Sequence, residues 1–278
     1  LQYTSQLNPL ATVYDCIQDI AASPANANAV RQYESLLFEK ADVVFTAGHH
    51  LFESRRELHR NIYSFPNSID KSHFTPARLT MNEPADQLAI PHPRIGFYGV
   101  LDERLNTSLL SDLADKHPEW QFILIGPVTG SIQELLPKQP NVHLLGQKEY
   151  SELPEYLSGW DAAMIPFALN ESTRYINPAI TPEFLAAGKP VVATAVYDIV
   201  YPYGKKGLVQ IAVTAADFGK AMEKALQIKN DARWLNKVDR FLSNISWDKT
   251  FRQMEILTEA TMERKRNMFR PLKRQVYA

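Results

Sequence analysis

The chain holds a single cysteine, Cys16, among 278 residues, which excludes an internal disulfide framework and a cysteine-based zinc site. Cys16 lies in the apolar-flanked run VYDCI (13–17), where a small buried hydrophobe is a simpler role than a nucleophile. A lone buried thiol also fits a reducing compartment. Long apolar runs are missing too, and none approaches the roughly 18 residues that a membrane span requires. Neither sign of charge dominates: 30 Lys and Arg face 31 Asp and Glu, for a net charge of -1, so no global basic surface points to nucleic acid. There is no Asp-x-Asp pair, and no cluster of histidines and carboxylates suggests a metal site. Solenoid-type repeats are absent. No signal-peptide pattern is visible, and the chain begins with LQYTSQLNPLATVYDC rather than with methionine. The expectation is a start inside a longer protein.

What is present is the composition of a soluble globular protein, 45% hydrophobic and 22% charged, in a length sufficient for two domains. Short β-branched or aromatic runs alternate with amphipathic stretches. ATVYDC (11–16), DVVFTA (42–47) and NIYSF (61–65) read as strands, with helices at 30–42 and 50–58 between them. From Asp70 to His92 the periodicity fades and Pro76, Pro84, Pro91 and Pro93 intervene, the pattern of an interdomain linker. A second series follows, with strands at 94–99, 120–126, 141–146, 161–166, 189–194 and 208–212 and helices at 105–117 and 150–158. Strands that are apolar almost throughout, joined by helices, predict an α/β fold with parallel sheets covered on both faces. Thr214 reads as an N-cap ahead of the stripe Phe218, Ala221, Met222 and Ala225, and 246–266 reads as one long helix. The expected division is a partial first domain (1–75), a linker (76–92), a second domain (93–245), and a C-terminal helix with a basic tail (246–278).

The segment PFALNESTRYINPAITPEFLAAGKPVVAT (166–194) carries the most chemistry. It joins a strand end, a polar loop, a short helix and another strand. Thr181 is a suitable N-cap, Pro182 suits the first turn and Gly188 suits the C′ position. A helix N-terminus after the carboxyl end of a strand is where open α/β sheets bind ligands, and its free amides favour phosphate. Glu183, in the first turn, reads either as an acceptor for ribose hydroxyls or as an acidic residue that stabilises the helix dipole. On pattern alone the two readings stand level.

TPEFLAAGKPVVAT is similar to the donor-binding region of GT-B glycosyltransferases of the retaining family 4 type, in which a glutamate precedes a small-residue helix end and a GxPVV strand. With VYDCIQD (13–19), EKADVVFTAGHHLFESRR (39–56), FPNSIDKSHF (65–74), PRIGFYGVLDERLN (93–106), WQFILIGPV (120–128) and GWDAAMIPFALNESTR (159–174), the chain resembles bacterial family 1/4-like glycosyltransferases, including those fused to UDP-galactopyranose mutase. The resemblance implies a GT-B fold of two Rossmann-like units, the N-terminal one incomplete and lacking the half that supplies much of the acceptor site. It also implies a nucleotide-diphosphate sugar as donor, UDP- or GDP-linked, with no further cofactor and no metal, and retention at the anomeric carbon. Glu183 would bind the donor ribose, with Thr181 beside it. The loop from Gly99 and Val100 to Arg104 would face the diphosphate, Arg104 gripping phosphate oxygens bidentately; its plainer role is an ion pair with Asp102 or Glu103. Asn170, Glu171, Ser172 and Thr173 would approach the donor sugar, or else form an ordinary polar loop.

Two positions depart from the pattern of these relatives. Ile180 replaces a lysine three residues before the glutamate, removing a charge-assisted bond worth roughly 1.5–3 kcal/mol, and Tyr175 replaces a second glutamate eight residues before it. Asp15 and Asp19 would lie near the interdomain cleft, and His49 and His50 follow a strand end, none of them with an assigned catalytic role. The tail RKRNMFRPLKR (264–274) has six basic residues and no acidic one; it reads as contact with anionic headgroups or, more simply, as a solvated helix end. The implied activity is sugar transfer to a cell-surface glycan or lipid-linked acceptor, in the cytoplasm or on the inner face of the membrane. The other readings are a nucleotide-sugar-binding or scaffolding module without catalysis, and a GT-B-fold epimerase.

Overall fold

A computed structural model describes residues 7–19, 27–79 and 82–268. The chain divides into two units, Leu1–Pro66 with Asp248–Ala278, and Asn67–Trp247. In chain order the first contributes β1 (Val13–Cys16), α1 (Ala27–Lys40), β2 (Val43–Thr46), α2 (His49–Arg55) and β3 (Ile62–Ser64). The second contributes α3 (Lys71–Phe74), α4 (Ala85–Leu88), β4 (Arg94–Tyr98), α5 (Thr107–Lys116), β5 (Gln121–Ile125), β6 (Val142–Leu144), α6 (Leu153–Ser158), β7 (Ala162–Ile165), α7 (Ile180–Ala186), β8 (Val191–Thr194), α8 (Tyr197–Ile199), β9 (Val209–Ala212), α9 (Ala215–Ile228) and α10 (Ala232–Leu242). Helix α11 (Trp247–Met268) closes the described chain.

The first unit is a parallel sheet of order β1-β2-β3. Its middle strand is buried at every position, and Phe38 and Ala41 at the end of α1 close over Val44. Tyr14 meets Phe38 edge to face at 5.3 Å. Helix α11 belongs to this unit rather than standing apart as a C-terminal segment. Thr261 is buried, Asn61 Nδ2 donates to its hydroxyl at 3.3 Å, and Lys265 pairs with Asp42 at 2.7 Å. Arg264 reaches Asn61 and Thr261. The first two cations of the basic stretch are thus committed to folding contacts, and the rest of the tail beyond Met268 lies outside the described residues.

The second unit is a six-stranded parallel sheet of order β6-β5-β4-β7-β8-β9. Counted within the unit this is 3-2-1-4-5-6, the doubly wound order that reverses direction between its first and fourth strands, here β4 and β7. Strands β4, β7 and β8 are buried at every residue, which explains why their sequences are mostly apolar. Helix α5 covers the sheet with Leu109, Leu110, Leu113 and Ala114, and Asn106 caps it by accepting from Leu109 N at 3.0 Å. Thr214 caps α9 as its position predicts, and Phe218, Ala221, Met222 and Ala225 face inward. Gly96 has a steric reason: a Cβ there would lie 2.2 Å from the Trp160 ring.

The proline-rich stretch expected to link the domains is folded into the second unit. Ile69, Phe74, Ala77 and Ile90 join its core. Gln87 is fully buried, donating to Tyr156 O at 3.0 Å and accepting from Trp160 Nε1 at 2.9 Å. Prolines suppress the periodicity by which such a segment would be recognised, and a buried glutamine reads as a surface residue until its partners are known. Among the described residues no helix is long and apolar enough to cross a membrane.

Candidate functional site

The reversal of strand order opens a crevice at the carboxyl ends of β4 and β7, the position at which doubly wound sheets hold ligands. The loops leaving these strands are tied together there. Leu105 bridges Phe167 antiparallel, Asn106 N donates to Pro166 O at 2.8 Å and Ala168 N to Arg104 O at 2.8 Å. On the other side Leu101 N donates to Pro127 O and Thr129 N to Leu101 O, at 2.9 and 3.0 Å. These contacts require close backbone approach. Gly126 has φ 142°, and a Cβ on it would fall 1.9 Å from Gly99 O, so only glycine fits.

Glu183 lies in the first turn of α7 and accepts a hydrogen bond from Tyr98 Oη at 2.5 Å. Tyr98 ends β4, is 6% exposed, and meets Phe184 edge to face at 4.9 Å, so its hydroxyl is held by the core. Burial raises the Glu183 carboxyl to about 7, even though the Tyr98 bond works in the opposite direction. Tyr150 also belongs to this neighbourhood: burial, then the negative charges of Glu183 and Asp70, push its phenol up to about 12. The Tyr150 ring is stacked on His73 with centroids 4.3 Å apart and planes 9° apart, yet the residue remains 51% exposed. The result is a carboxylate near neutrality beside a solvent-facing aromatic surface.

Gly99 and Val100 begin the loop after β4, and Val100 is 38% exposed. Arg104 ends the loop in an ion pair with Asp102, its Nε and Nη2 donating at 2.6–3.0 Å. Burial works against the Arg104–Asp102 pair, but the bonds from Arg104 hold the Asp102 carboxyl below the usual range. Glu183 and Arg104 are therefore bonded to different partners and not to each other. Asn170 and Thr173 shape their loop internally. Asn170 Oδ1 accepts from Ser172 Oγ at 2.7 Å and from Thr173 N at 3.2 Å, while the buried Thr173 hydroxyl donates to Ala168 O. Glu171 is exposed and pairs with Arg174 at 3.4 Å.

Thr181 is not the N-cap. Helix α7 starts at Ile180 with Ala179 as its cap, because the turn already closes with Thr181 N donating to Pro178 O at 3.1 Å. Thr181 thus sits inside the first turn, fully buried, and its hydroxyl makes no hydrogen bond. Gly188 does follow the helix in the left-handed conformation, φ 70°. Sequence reasoning missed Tyr98, Tyr150 and His73. It also missed the clamp in which Asn67 N and Nδ2 donate to Asn177 Oδ1 and O at 2.8 and 2.6 Å. Arg78 was hidden in the supposed linker. Its Nε donates to Ala186 O at 2.7 Å, and its two terminal nitrogens fork onto Asp239 at 2.9 and 2.8 Å, bracing the end of α7 against α10. The one available signal was Tyr98, a polar-tipped residue ending an otherwise apolar strand just before a glycine.

Residues 92–228 match the family model for glycosyl transferases group 1. TuaH of Bacillus subtilis (strain 168), a teichuronic acid biosynthesis glycosyltransferase by provisional assignment, is 25% identical, over 87% of this chain and 65% of the relative's length. In three dimensions the chain is similar to sucrose-phosphate synthase from Thermosynechococcus elongatus, with TM-score 0.73 and 19% identity over 95% of this chain and 70% of that one. It is also similar to Anabaena HepE in complex with UDP and glucose, with TM-score 0.64 and 15% identity over 87% and 70% of the two chains. Residues 92–228 thus resemble a group 1 glycosyltransferase domain, in a chain of the GT-B fold.

Proposed function

We propose that the second unit binds a nucleoside-diphosphate sugar and that the protein transfers its glycosyl group to a glycan or lipid-linked acceptor. The observation that carries this reading is Glu183, a carboxylate held by Tyr98 at the switch point of the sheet. In its charged form it accepts the two ribose hydroxyls. The exposed face of Tyr150 offers a stacking surface to the base. The loop from Gly99 and Val100 to Arg104 faces the diphosphate. Asp102 takes the Nε side of the guanidinium, which leaves the edge formed by Nη1 and Nη2 as the fork for phosphate oxygens. Asn170 and Thr173 hold the loop that approaches the sugar, with Ser172 and Glu171 at its turn, and Thr181 supports the first turn of α7 from beneath.

When the bond from C1 to the diphosphate breaks, charge grows on the leaving oxygens, and Arg104 and the loop amides stabilise it. The sugar passes through an oxocarbenium-like state and bonds to the acceptor oxygen with retention of configuration, while the acceptor hydroxyl gives up its proton to the departing diphosphate. HepE, of the same fold, is described with UDP and glucose, which favours a UDP-linked donor. TuaH's assignment to teichuronic acid biosynthesis favours a cell-surface acceptor. The test is nucleotide release from a panel of UDP- and GDP-sugars. We expect release with at least one donor and its loss in Glu183→Ala; release that survives this substitution would contradict the assignment.

A second reading, a donor-binding module without turnover, is favoured by Ile180. Its side chain packs against the core where related enzymes place a lysine. Binding of UDP without nucleotide release from any donor would select it.

A further inference from the structure

A cationic groove lies on the second unit away from Glu183. Lys205 and Lys206, just before β9, form one wall. Lys237 and Arg240 on α10, together with Phe241 and the following Asn244, form the other, and Leu208 closes the floor of a groove of about 530 Å³. The spacing of 237, 240 and 241 puts these three on one face of the helix, and Asn244 follows in the turn just beyond its end. Buried contacts fix both walls: Trp234 Nε1 donates to Leu208 O at 3.3 Å, and Phe241 meets Tyr203 edge to face at 5.3 Å.

All four cations are exposed, no acidic residue lines the groove, and among the described residues none of the four is in an ion pair. The net charge of the whole chain is only -1, and several cations elsewhere, such as Arg55, Arg78, Arg94 and Lys229, meet carboxylates. Four unneutralised charges around one concavity repel one another and create a local field that draws anions. Lys206 sits 5.3 Å from the centroid of Phe241, which lines the groove, and Lys205 lies 5.5 Å from that of Tyr201, which is 43% exposed and lies outside the groove's lining.

We propose that this groove binds a strand of anionic glycan, the cations taking its carboxylates or phosphates while Phe241 and Asn244 meet the sugar rings. An aromatic ring and a side-chain amide inside a concavity suit a sugar strand better than a lipid surface, which a convex basic face would meet. The short cluster in a chain without net positive charge does not suit a nucleic acid. All strands of the sheet run parallel, so the groove, at the amino end of β9, lies at the opposite end of the sheet from Tyr98 and Glu183. It is a second binding site that retains the protein on its polymer, and it does not rest on the donor reading.

The test uses the whole chain in affinity electrophoresis through polygalacturonate, with neutral dextran and vesicles of phosphatidylglycerol and phosphatidylcholine as the other probes. Retention by polygalacturonate and not by dextran is expected, weakening as salt is raised. Lys237→Glu/Arg240→Glu and Lys205→Glu/Lys206→Glu each weaken it by about tenfold or more, with circular dichroism unchanged because all four side chains are exposed. UDP titration on the same variants reads the donor site separately. Absence of retention, equal retention by dextran, retention that survives both double variants, or binding to the vesicles alone would each overturn the proposal.

Discussion

Replacing Tyr98 with Phe removes one hydroxyl and leaves the ring in its place against Phe184. The hydroxyl donates to Glu183 at 2.5 Å, and such a bond favours the charged carboxylate. A hydrogen bond to a charged group contributes about 1.5–3 kcal/mol, and about 1.4 kcal/mol moves a titration midpoint by one pH unit. With Glu183 at about 7 in the parent, roughly half the molecules carry the carboxylate at neutral pH. In Tyr98→Phe the midpoint rises further, and most molecules are protonated. A protonated carboxyl gives up one of the acceptors that two ribose hydroxyls require, so UDP affinity at pH 7 falls several-fold and recovers as pH is raised above the new midpoint. Calorimetric titration with UDP from pH 6 to 9, alongside carbon NMR of labelled glutamate, measures both quantities. A Glu183 midpoint that stays put or moves down in the variant would refute the reasoning, as would an affinity independent of pH.

Glu183→Gln is expected to stabilise the fold at alkaline pH while impairing nucleotide binding. Because the folded-state value is raised from an ordinary 4.5 to about 7, this carboxyl detracts nothing below about 4.5. It costs increasing stability as pH climbs towards 7, up to about 3 kcal/mol, so urea titrations should show the two proteins diverging over that window; parallel curves would contradict the raised value. Tyr150→Ala should weaken UDP binding by about 1–3 kcal/mol if the ring stacks on the base, and leave binding of inorganic pyrophosphate unchanged; equal losses for both ligands would point to a general disturbance. Arg78→Ala removes the fork onto Asp239 and the bond to Ala186, and should lower unfolding stability by about 2 kcal/mol. An unchanged denaturation midpoint would show that α7 does not depend on this brace.

The α/β class and the order of strands and helices were legible because the central strands of the second unit are buried on both faces and therefore read as mostly apolar runs. Gly188 and the Thr214 cap could be placed from local chemistry alone, whereas the reading of Glu183 came from the resemblance of its segment to a known donor-binding region. The supposed linker could not be placed, because Gln87 and Arg78 look like surface residues until Trp160, Tyr156 and Asp239 are brought to them from 73, 69 and 161 residues away. Tyr98 escaped for the same reason, as its partner Glu183 lies 85 residues further on. Thr181 shows the limit of capping rules. The residue type suited the role, but the backbone turned two residues earlier and buried the hydroxyl.

The central claim is that Glu183 anchors a nucleoside diphosphate at the carboxyl ends of β4 and β7. Calorimetric titration of UDP, GDP and ADP into the parent chain and into Glu183→Ala tests it most directly. The account predicts saturable binding of at least one of them, lost or weakened at least about tenfold in the variant, as expected when charge-assisted bonds are removed. Binding of equal strength to both proteins, or no binding to a folded parent, would contradict it.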